Sequence, residues 1–366
     1  MPLSSSPRIS SLDAFRGYTV AAMIMVNFPG SWDHIFPTLR HSEWNGLTFT
    51  DLVAPFFLFI VGVSITLAYG SRKAEGGPMG TTYRKILWRG LKIWLVGMAL
   101  NLLPHFDIYN LRWTGTLHRI SVVFVISAIV FLHTSWKQQA WICALLLLGY
   151  WMVMSTIPTP GEGRVLLEPG RNLAAWVDSR YLPGKMWEGT WDPEGILSTF
   201  PATATTFTGM LVGHLLSASM PDPLKINALM TAGVCSAITG YFLGLVFPVN
   251  ENLWTSSFVL VTSGFAALVF GAMFYLADIR RWTSWTTPGV AFGANAITAY
   301  VLGDLLSLLF YGLQIGGKSM NQHAVKAMTA AGMDIRLASW CYALFFVGVV
   351  FLPVWIMYRR KIIIKL

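Results

Sequence analysis

Ten apolar runs, each about as long as a bilayer is thick, constrain this chain more than any other feature of it. Their limits are 14–32, 51–70, 86–104, 116–133, 138–157, 198–217, 226–247, 253–276, 290–312 and 338–358. About 20 residues rising 1.5 Å each are needed to cross roughly 30 Å of hydrocarbon. In lipid the backbone must satisfy its own hydrogen bonds, so such runs fold as helices. The expected fold is therefore all-α: a polytopic membrane helix bundle of about ten transmembrane helices forming a single domain over 1–366. A hydrophobic content of 54% with 12% charged residues excludes an ordinary soluble globule and a disordered chain alike. Cys143, Cys235 and Cys341 lie inside apolar stretches, an odd and scattered set that reads as small core side chains rather than a disulfide framework or a zinc pattern.

The net charge of +9 does not point to nucleic acid, because the basic residues sit at the ends of apolar runs instead of in one patch. With the N-terminus in the cytoplasm, sixteen of the 26 basic residues fall on the inner side, among them Arg8, Arg72, Lys73, Arg84, Lys85, Arg89, Lys92, Arg359, Arg360 and Lys365. Both termini are therefore expected inside. The short polar stretch before the first run lacks a small-residue cleavage signature and is expected to stay in the mature protein. Two outer connections, 158–197 and 313–337, are too long for turns and read as lids or binding surfaces.

Polar side chains within the runs are costly there, and usually face an interior or a water-filled cavity. Asp13 and Arg16 are three residues apart and can pair on one helical face. Asn27 follows eleven residues later, almost in angular register and about 16 Å along the axis. Two readings stand. In one, Asp13 and Arg16 form a structural pair and Asn27 joins two helices. In the other, the stripe lines a groove for an extended ligand, with Arg16 near a phosphate and Asn27 near a reactive carbonyl.

The loop Arg40-His41-Ser42-Glu43-Trp44-Asn45-Gly46-Leu47-Thr48-Phe49-Thr50-Asp51 gives His41 more polar company in sequence than any other histidine has. A neutral imidazole accepts a proton near pH 7, and a carboxylate on its other nitrogen fixes the tautomer. Asp51 or Glu43 can supply that carboxylate; equally, His41 can be a solvated loop residue and Asp51 a helix cap. His34 reads as an interfacial residue, His105 and His133 as flanking residues, and His214 as a packing histidine. Arg119, at the start of the fourth run, is a buried or mouth-facing cation in need of a partner. The stretch Trp187 to Leu197 brings indoles and carboxylates together, as a sugar site would, although Trp also anchors helices at interfaces. Asn295 and Asp304 fall on opposite faces if the ninth run is one regular helix.

The wording from His41 to Gly62 resembles the signature of the heparan-alpha-glucosaminide N-acetyltransferase family and its bacterial relatives. Leu12 to Gly17, Asp192 to Ala202 and the ending Arg359 to Lys365 are similar to that family too. The resemblance implies transfer of an acetyl group from cytosolic acetyl-CoA to the amine of a glucosamine on the far side of a membrane. It gives His41 the catalytic role and places Asn27 beside the acetyl group. In the wider acyltransferase superfamily a histidine occupies the place of Asn27, so here Asn27 moves toward polarising the carbonyl. The resemblance does not extend to the large lumenal domain of the lysosomal enzyme, and the similar bacterial proteins, tied to uptake and use of N-acetylglucosamine, favour an amino sugar or a cell-envelope glycan as acceptor.

The expectation is thus a catalytic set of His41, Asn27 and Asp51. Arg16, Asp13, Asn45 and Arg119 are expected at the acetyl-CoA, and Glu43, Trp44, Trp191, Asp192 and Glu194 at the acceptor. No metal is expected. The partners are acetyl-CoA, an amino-sugar acceptor, the bilayer and, as an option, a second copy forming a homodimer; nucleic acid is not among them. The expected location is a bacterial inner membrane with both termini cytoplasmic. The rival is a sugar transporter, which ten spans with a polar lining would also serve.

Overall fold

A computed structural model describes residues 9–77, 79–104 and 106–364. Arg8, His105 and Lys365 lie outside the described residues. Each of the ten runs falls on helix: α1 (Ser10–Asn27), α2 (Phe49–Glu75), α3 (Gly80–Leu102), α4 (Thr116–His133), α5 (Trp136–Thr156), α7 (Thr199–Ser217), α8 (Asp222–Leu243), α9 (Ser256–Phe274), the pair α10 (Thr286–Ala294) with α11 (Ala296–Phe310), and α13 (Ile335–Arg359). The long connections carry structure of their own. Residues 158–197 include α6 (Leu173–Tyr181), and 313–337 include the hairpin β1 (Gln314–Ile315) and β2 (Lys318–Ser319) with α12 (Met320–Ala330). Local signals set several starts: Ser135 with Gln138 and Ser319 with Gln322 form capping boxes for α5 and α12, and Asp334 caps α13.

The protein is an all-α membrane bundle, with six helices among the described residues long and apolar enough to cross a membrane: α2, α4, α5, α8, α9 with its π-helical extension, and α13. The pair α10 and α11 makes a seventh if counted as one bent span. The other three runs, in α1, α3 and α7, are helical but more polar. Asp13, Arg16 and Asn27 interrupt α1, four basic residues interrupt α3, and five threonines interrupt α7. The ninth run is not the single helix its composition suggests. It bends by 82° at Asn295, whose side chain is turned to the C-terminal segment: Nδ2 donates to the Ile362 carbonyl at 3.0 Å and Oδ1 accepts from the Ile364 N–H at 2.9 Å. The opposite-face relation expected of Asn295 and Asp304 lapses with the regular helix it assumed.

Within the single domain expected over 1–366, two compact units are distinguished. The first holds residues up to 41, 48–53 and 269–365. Its central contact joins α1 to α10 through glycines. A Cβ on Gly17 would lie 1.7 Å from the Gly289 carbonyl oxygen, and one on Gly293 would lie 2.0 Å from the Asp13 carbonyl oxygen. The backbones touch directly, the arrangement that small residues permit in membranes. Beyond Asn27 the chain is tied down again. The Gly30 N–H donates to the Ser339 carbonyl at 3.1 Å, Asn321 donates to the Gly30 carbonyl at 2.9 Å, and Phe28 packs on Phe346 with ring centroids 4.9 Å apart.

The second unit holds 42–47 and 54–268. Here α2 meets α7 as closely as α1 meets α10, since Cβ atoms on Gly62 and Gly209 would fall 1.9 and 2.0 Å from the carbonyl oxygens of Thr206 and Phe59. A buried cluster of Tyr150, Met154, Leu173, Ala174, Phe247 and Leu253 ties α5 to α6 and to the segment before α9, and Trp44 and Leu197 pack against it.

Candidate active site

The sequence separates His41 from Asp51 by the ten residues that turn the chain into α2, and the fold closes that gap. His41 Nδ1 lies 2.9 Å from Asp51 Oδ1. The other carboxylate oxygen accepts the Thr48 N–H at 2.8 Å, so Asp51 reaches back to cap its own helix. One carboxylate thus bonds both the imidazole and the start of its own helix. Asp51 is fully buried while the His41 side chain is 56% exposed. A carboxylate can only accept, so Nδ1 carries a proton, and in the neutral imidazole Nε2 is the nitrogen that holds the lone pair. The arrangement can take a proton from, or attack, a group brought to the exposed edge of the ring. Glu43, the other carboxylate expected as an orienter, is exposed and has no hydrogen bond or ion pair among the described residues.

In α1, Arg16 Nη1 donates to Asp13 Oδ1 at 3.1 Å, so the expected pair is formed, both side chains being largely covered. Asn27, the last residue of α1, is half-buried, and its side-chain amide has no hydrogen-bond partner among the described residues. A small cleft, open to solvent, lies beside this end of the helix. Val26 and Pro29 line it next to Asn27, Phe36 and Leu39 just before His41, and Arg336 and Trp340 on α13.

In the second unit the turn Trp44–Gly46 is held by contacts that spacing alone does not reveal. The Trp44 indole N–H donates to the Leu167 carbonyl at 2.7 Å, and its ring stands edge-on to Trp191 at 5.3 Å. Gly46 adopts φ +132, a conformation that favours glycine, and its N–H donates to the Val249 carbonyl at 2.8 Å. Trp191 is 9% exposed, so its face is used in packing rather than offered to a sugar.

Asp192 and Glu194 are drawn together by a residue that sequence reasoning assigned no role. Arg112 grips Asp192 with two donors at 2.7 and 2.8 Å and Glu194 with one at 2.5 Å. Thr114 and the N–H groups of Trp187 and Glu194 also donate to Asp192. Burial pushes the Asp192 carboxyl up, but the Arg112 bonds outweigh it and hold the group at about 2. This saturated carboxylate braces the loop and has little capacity left for a ligand. Nearby on α6, Asp178 is 2% exposed and accepts the Ile196 N–H at 2.8 Å; burial raises it to about 6. The cation Arg119 finds its partners in the same segment, the Pro193 carbonyl and Ser198 Oγ, each at 2.5 Å, with the Trp254 ring 4.8 Å away. His214 bonds Gln139 at 3.0 Å, as a packing histidine would.

A sequence model of the catalytic region of heparan-alpha-glucosaminide N-acetyltransferases matches residues 8–243. The human protein named heparan-alpha-glucosaminide N-acetyltransferase is 27% identical over 98% of this chain and 60% of its own length. The mouse protein of the same name is 26% identical over 93% of this chain and 60% of its own length. The chain thus spans about 60% of the length of these curated relatives.

Proposed function

From the premise that the chain belongs to the heparan-alpha-glucosaminide N-acetyltransferase family, we propose that it transfers an acetyl group from acetyl-CoA to the amine of a glucosamine-type sugar. The observation that carries this reading is the oriented imidazole. The His41 side chain is 56% exposed and bound at 2.9 Å through Nδ1 to a carboxylate with no solvent exposure. The names of the human and mouse relatives favour a transferase over a sugar transporter.

The amine nitrogen attacks the thioester carbonyl carbon, and His41 Nε2 accepts the proton that the nitrogen sheds. As the tetrahedral intermediate collapses, the carbon–sulfur bond breaks and the imidazolium returns the proton to the departing thiolate. The products are the N-acetyl sugar and CoA-SH. The Asn27 amide, which has N–H donors to spare, stabilises the carbonyl oxygen as charge gathers on it; removing one such donor typically costs about 2.7 to 4 kcal/mol. Arg16 with Asp13 and Asn45 serve the acetyl-CoA. Arg119 is engaged with Pro193 and Ser198, so we assign it to holding the loop that carries Asp192 and Glu194. The acceptor is served by Glu43 and Trp44 directly, and by Trp191, Asp192 and Glu194 through the brace they form. The membrane is a bacterial inner membrane with both chain ends cytoplasmic.

The test is a thiol-release assay on the purified full chain with acetyl-CoA and a panel of amino sugars. Amine-dependent release that is lost in His41→Ala is expected. Transport of labelled sugar without consumption of acetyl-CoA would overturn the reading.

A further inference from the structure

Asn250 stands out among the buried polar residues because every polar group it has is used, and the side-chain NH2 is spent on one target. Its Nδ2 donates to the Trp44 carbonyl at 2.8 Å and to Asn45 Oδ1 at 3.1 Å. Its Oδ1 accepts the Leu253 N–H at 2.8 Å, its own N–H donates to Thr255 Oγ1 at 3.1 Å, and its carbonyl accepts the Thr255 N–H at 3.1 Å. The residue is fully buried. The backbone bonds and Oδ1 therefore fold Asn250 onto its own turn at 250–255, while the NH2 reaches a segment 205 and 206 residues away in the chain. Next to it, the Gly46 N–H donates to the Val249 carbonyl, so residues 249 and 250 together grip all three residues of the Trp44–Gly46 turn.

That turn lies in the stretch of chain that joins His41 to Asp51, and its ends are three residues from His41 and two from Thr48. The His41 to Asp51 and Thr48 to Asp51 bonds fix the ends of this stretch, and Val249 and Asn250 hold its middle. We propose that Asn250 is a positioning residue: by gripping the Trp44–Asn45 turn it holds the loop that carries His41 in the conformation used for acetyl transfer. Asn250 lies beyond the stretch matched by the family model, which ends at residue 243. The assignment rests on the transferase reading for its catalytic consequence, and on the hydrogen bonds alone for its conformational one.

The two faces of Asn250 can be separated by substitution. Asn250→Asp keeps an acceptor for the Leu253 N–H and leaves the backbone bonds to Thr255, but it has no hydrogen to offer Trp44 or Asn45 and sets a carboxylate oxygen against two acceptors. On the purified full chain, three readouts are taken: kcat and KM for thiol release, the rate at which diethyl pyrocarbonate modifies His41, followed by peptide mass spectrometry, and the thermal midpoint. The expected result is a kcat lower by about 100-fold with KM for acetyl-CoA changed by less than about threefold, the scale on which small displacements of a catalytic group act. The His41 modification rate is expected to change at least threefold, roughly the effect of about 0.6 kcal/mol on an opening equilibrium.

Asn45→Ala provides a second variant should Asn250→Asp fail to fold. Asn45 is exposed, and its loss removes one of the two acceptors, so about tenfold in kcat and a smaller change in His41 reactivity are expected. A folded variant with wild-type kcat and wild-type His41 reactivity overturns the proposal, whatever its thermal midpoint, since a purely structural role would move only the last. Failure of the transferase reading is distinguishable: the wild-type chain would release no thiol with any amine, while His41 reactivity would still respond to residue 250.

Discussion

Replacing Asp51 by Asn tests the reading of the site through its bonds to His41 and Thr48. The Thr48 N–H can only donate, so the amide oxygen of the variant remains on it, at the position now 2.8 Å away. That leaves the NH2 facing His41 Nδ1, where a carboxylate oxygen now lies at 2.9 Å. An NH2 demands a lone pair at Nδ1, which moves the ring proton to Nε2 and removes the acceptor from the exposed edge. The same inversion in serine protease triads lowers kcat by about 10⁴, or roughly 5.5 kcal/mol at 1.36 kcal/mol per decade. The helix cap survives, so stability is expected to change little. Asp51→Ala, in contrast, loses the cap as well, at a further cost of about 1 kcal/mol. Initial rates of thiol release with acetyl-CoA and glucosamine, together with thermal midpoints, separate the two variants. An Asn variant that turns over within tenfold of wild type would show that the tautomer of His41 does not govern the reaction.

Asn27→Ala is expected to lower kcat by about 10² to 10³ with little change in KM for acetyl-CoA, because the bond it supplies strengthens only as the oxyanion forms; a change confined to KM would contradict that role. Asp178→Asn addresses pH. The folded carboxyl is raised from 3.8 to about 6, so its contribution to stability is present at low pH and is lost as pH rises through about 6. The neutral Asn avoids that loss. It should match wild type near pH 4 and exceed it above pH 7 by up to about 3 kcal/mol, read as a higher thermal midpoint. Asp192 has the opposite sign, its contribution being present above 3.8 and lost as pH falls through about 2, so it does not disturb that window. Arg112→Ala leaves the Asp192 carboxylate buried without its cation. A destabilisation of about 3 to 5 kcal/mol is expected, visible in thermal melts, with a raised KM for the amino sugar in the fraction that folds.

What the sequence discloses and what it conceals divide along separation in the chain. The pairing of Asp13 with Arg16 follows from helical spacing, and the reach of Asp51 to both His41 and Thr48 lies within ten residues of it. Continuous apolar runs mark the long helices because the requirement to hide the backbone acts on every turn. The bend at Asn295 is silent by comparison. No proline marks it, and the groups that compensate it, at Ile362 and Ile364, come 67 and 69 residues later. The partnership of Arg112 with Asp192 spans 80 residues and that of Asn250 with Trp44 spans 206. The carboxylates and indoles between Trp187 and Glu194 were legible as a polar, aromatic cluster. Only the fold shows that Arg112 occupies two of the carboxylates and Trp44 one of the rings.

The glycine contact of α1 with α10 also bears on how the molecule is made. Its two surfaces lie at opposite ends of the message, with Gly17 translated long before Gly289 and Gly293. At about 5 to 20 residues per second, a ribosome takes on the order of a quarter to a full minute to deliver the second surface. Throughout that interval the first helix, with its ion pair and its idle amide, has no groove of its own to enter. A nascent chain halted before residue 286 is expected to leave that helix open to crosslinking by the insertion machinery, and protection should begin only when the partner has emerged.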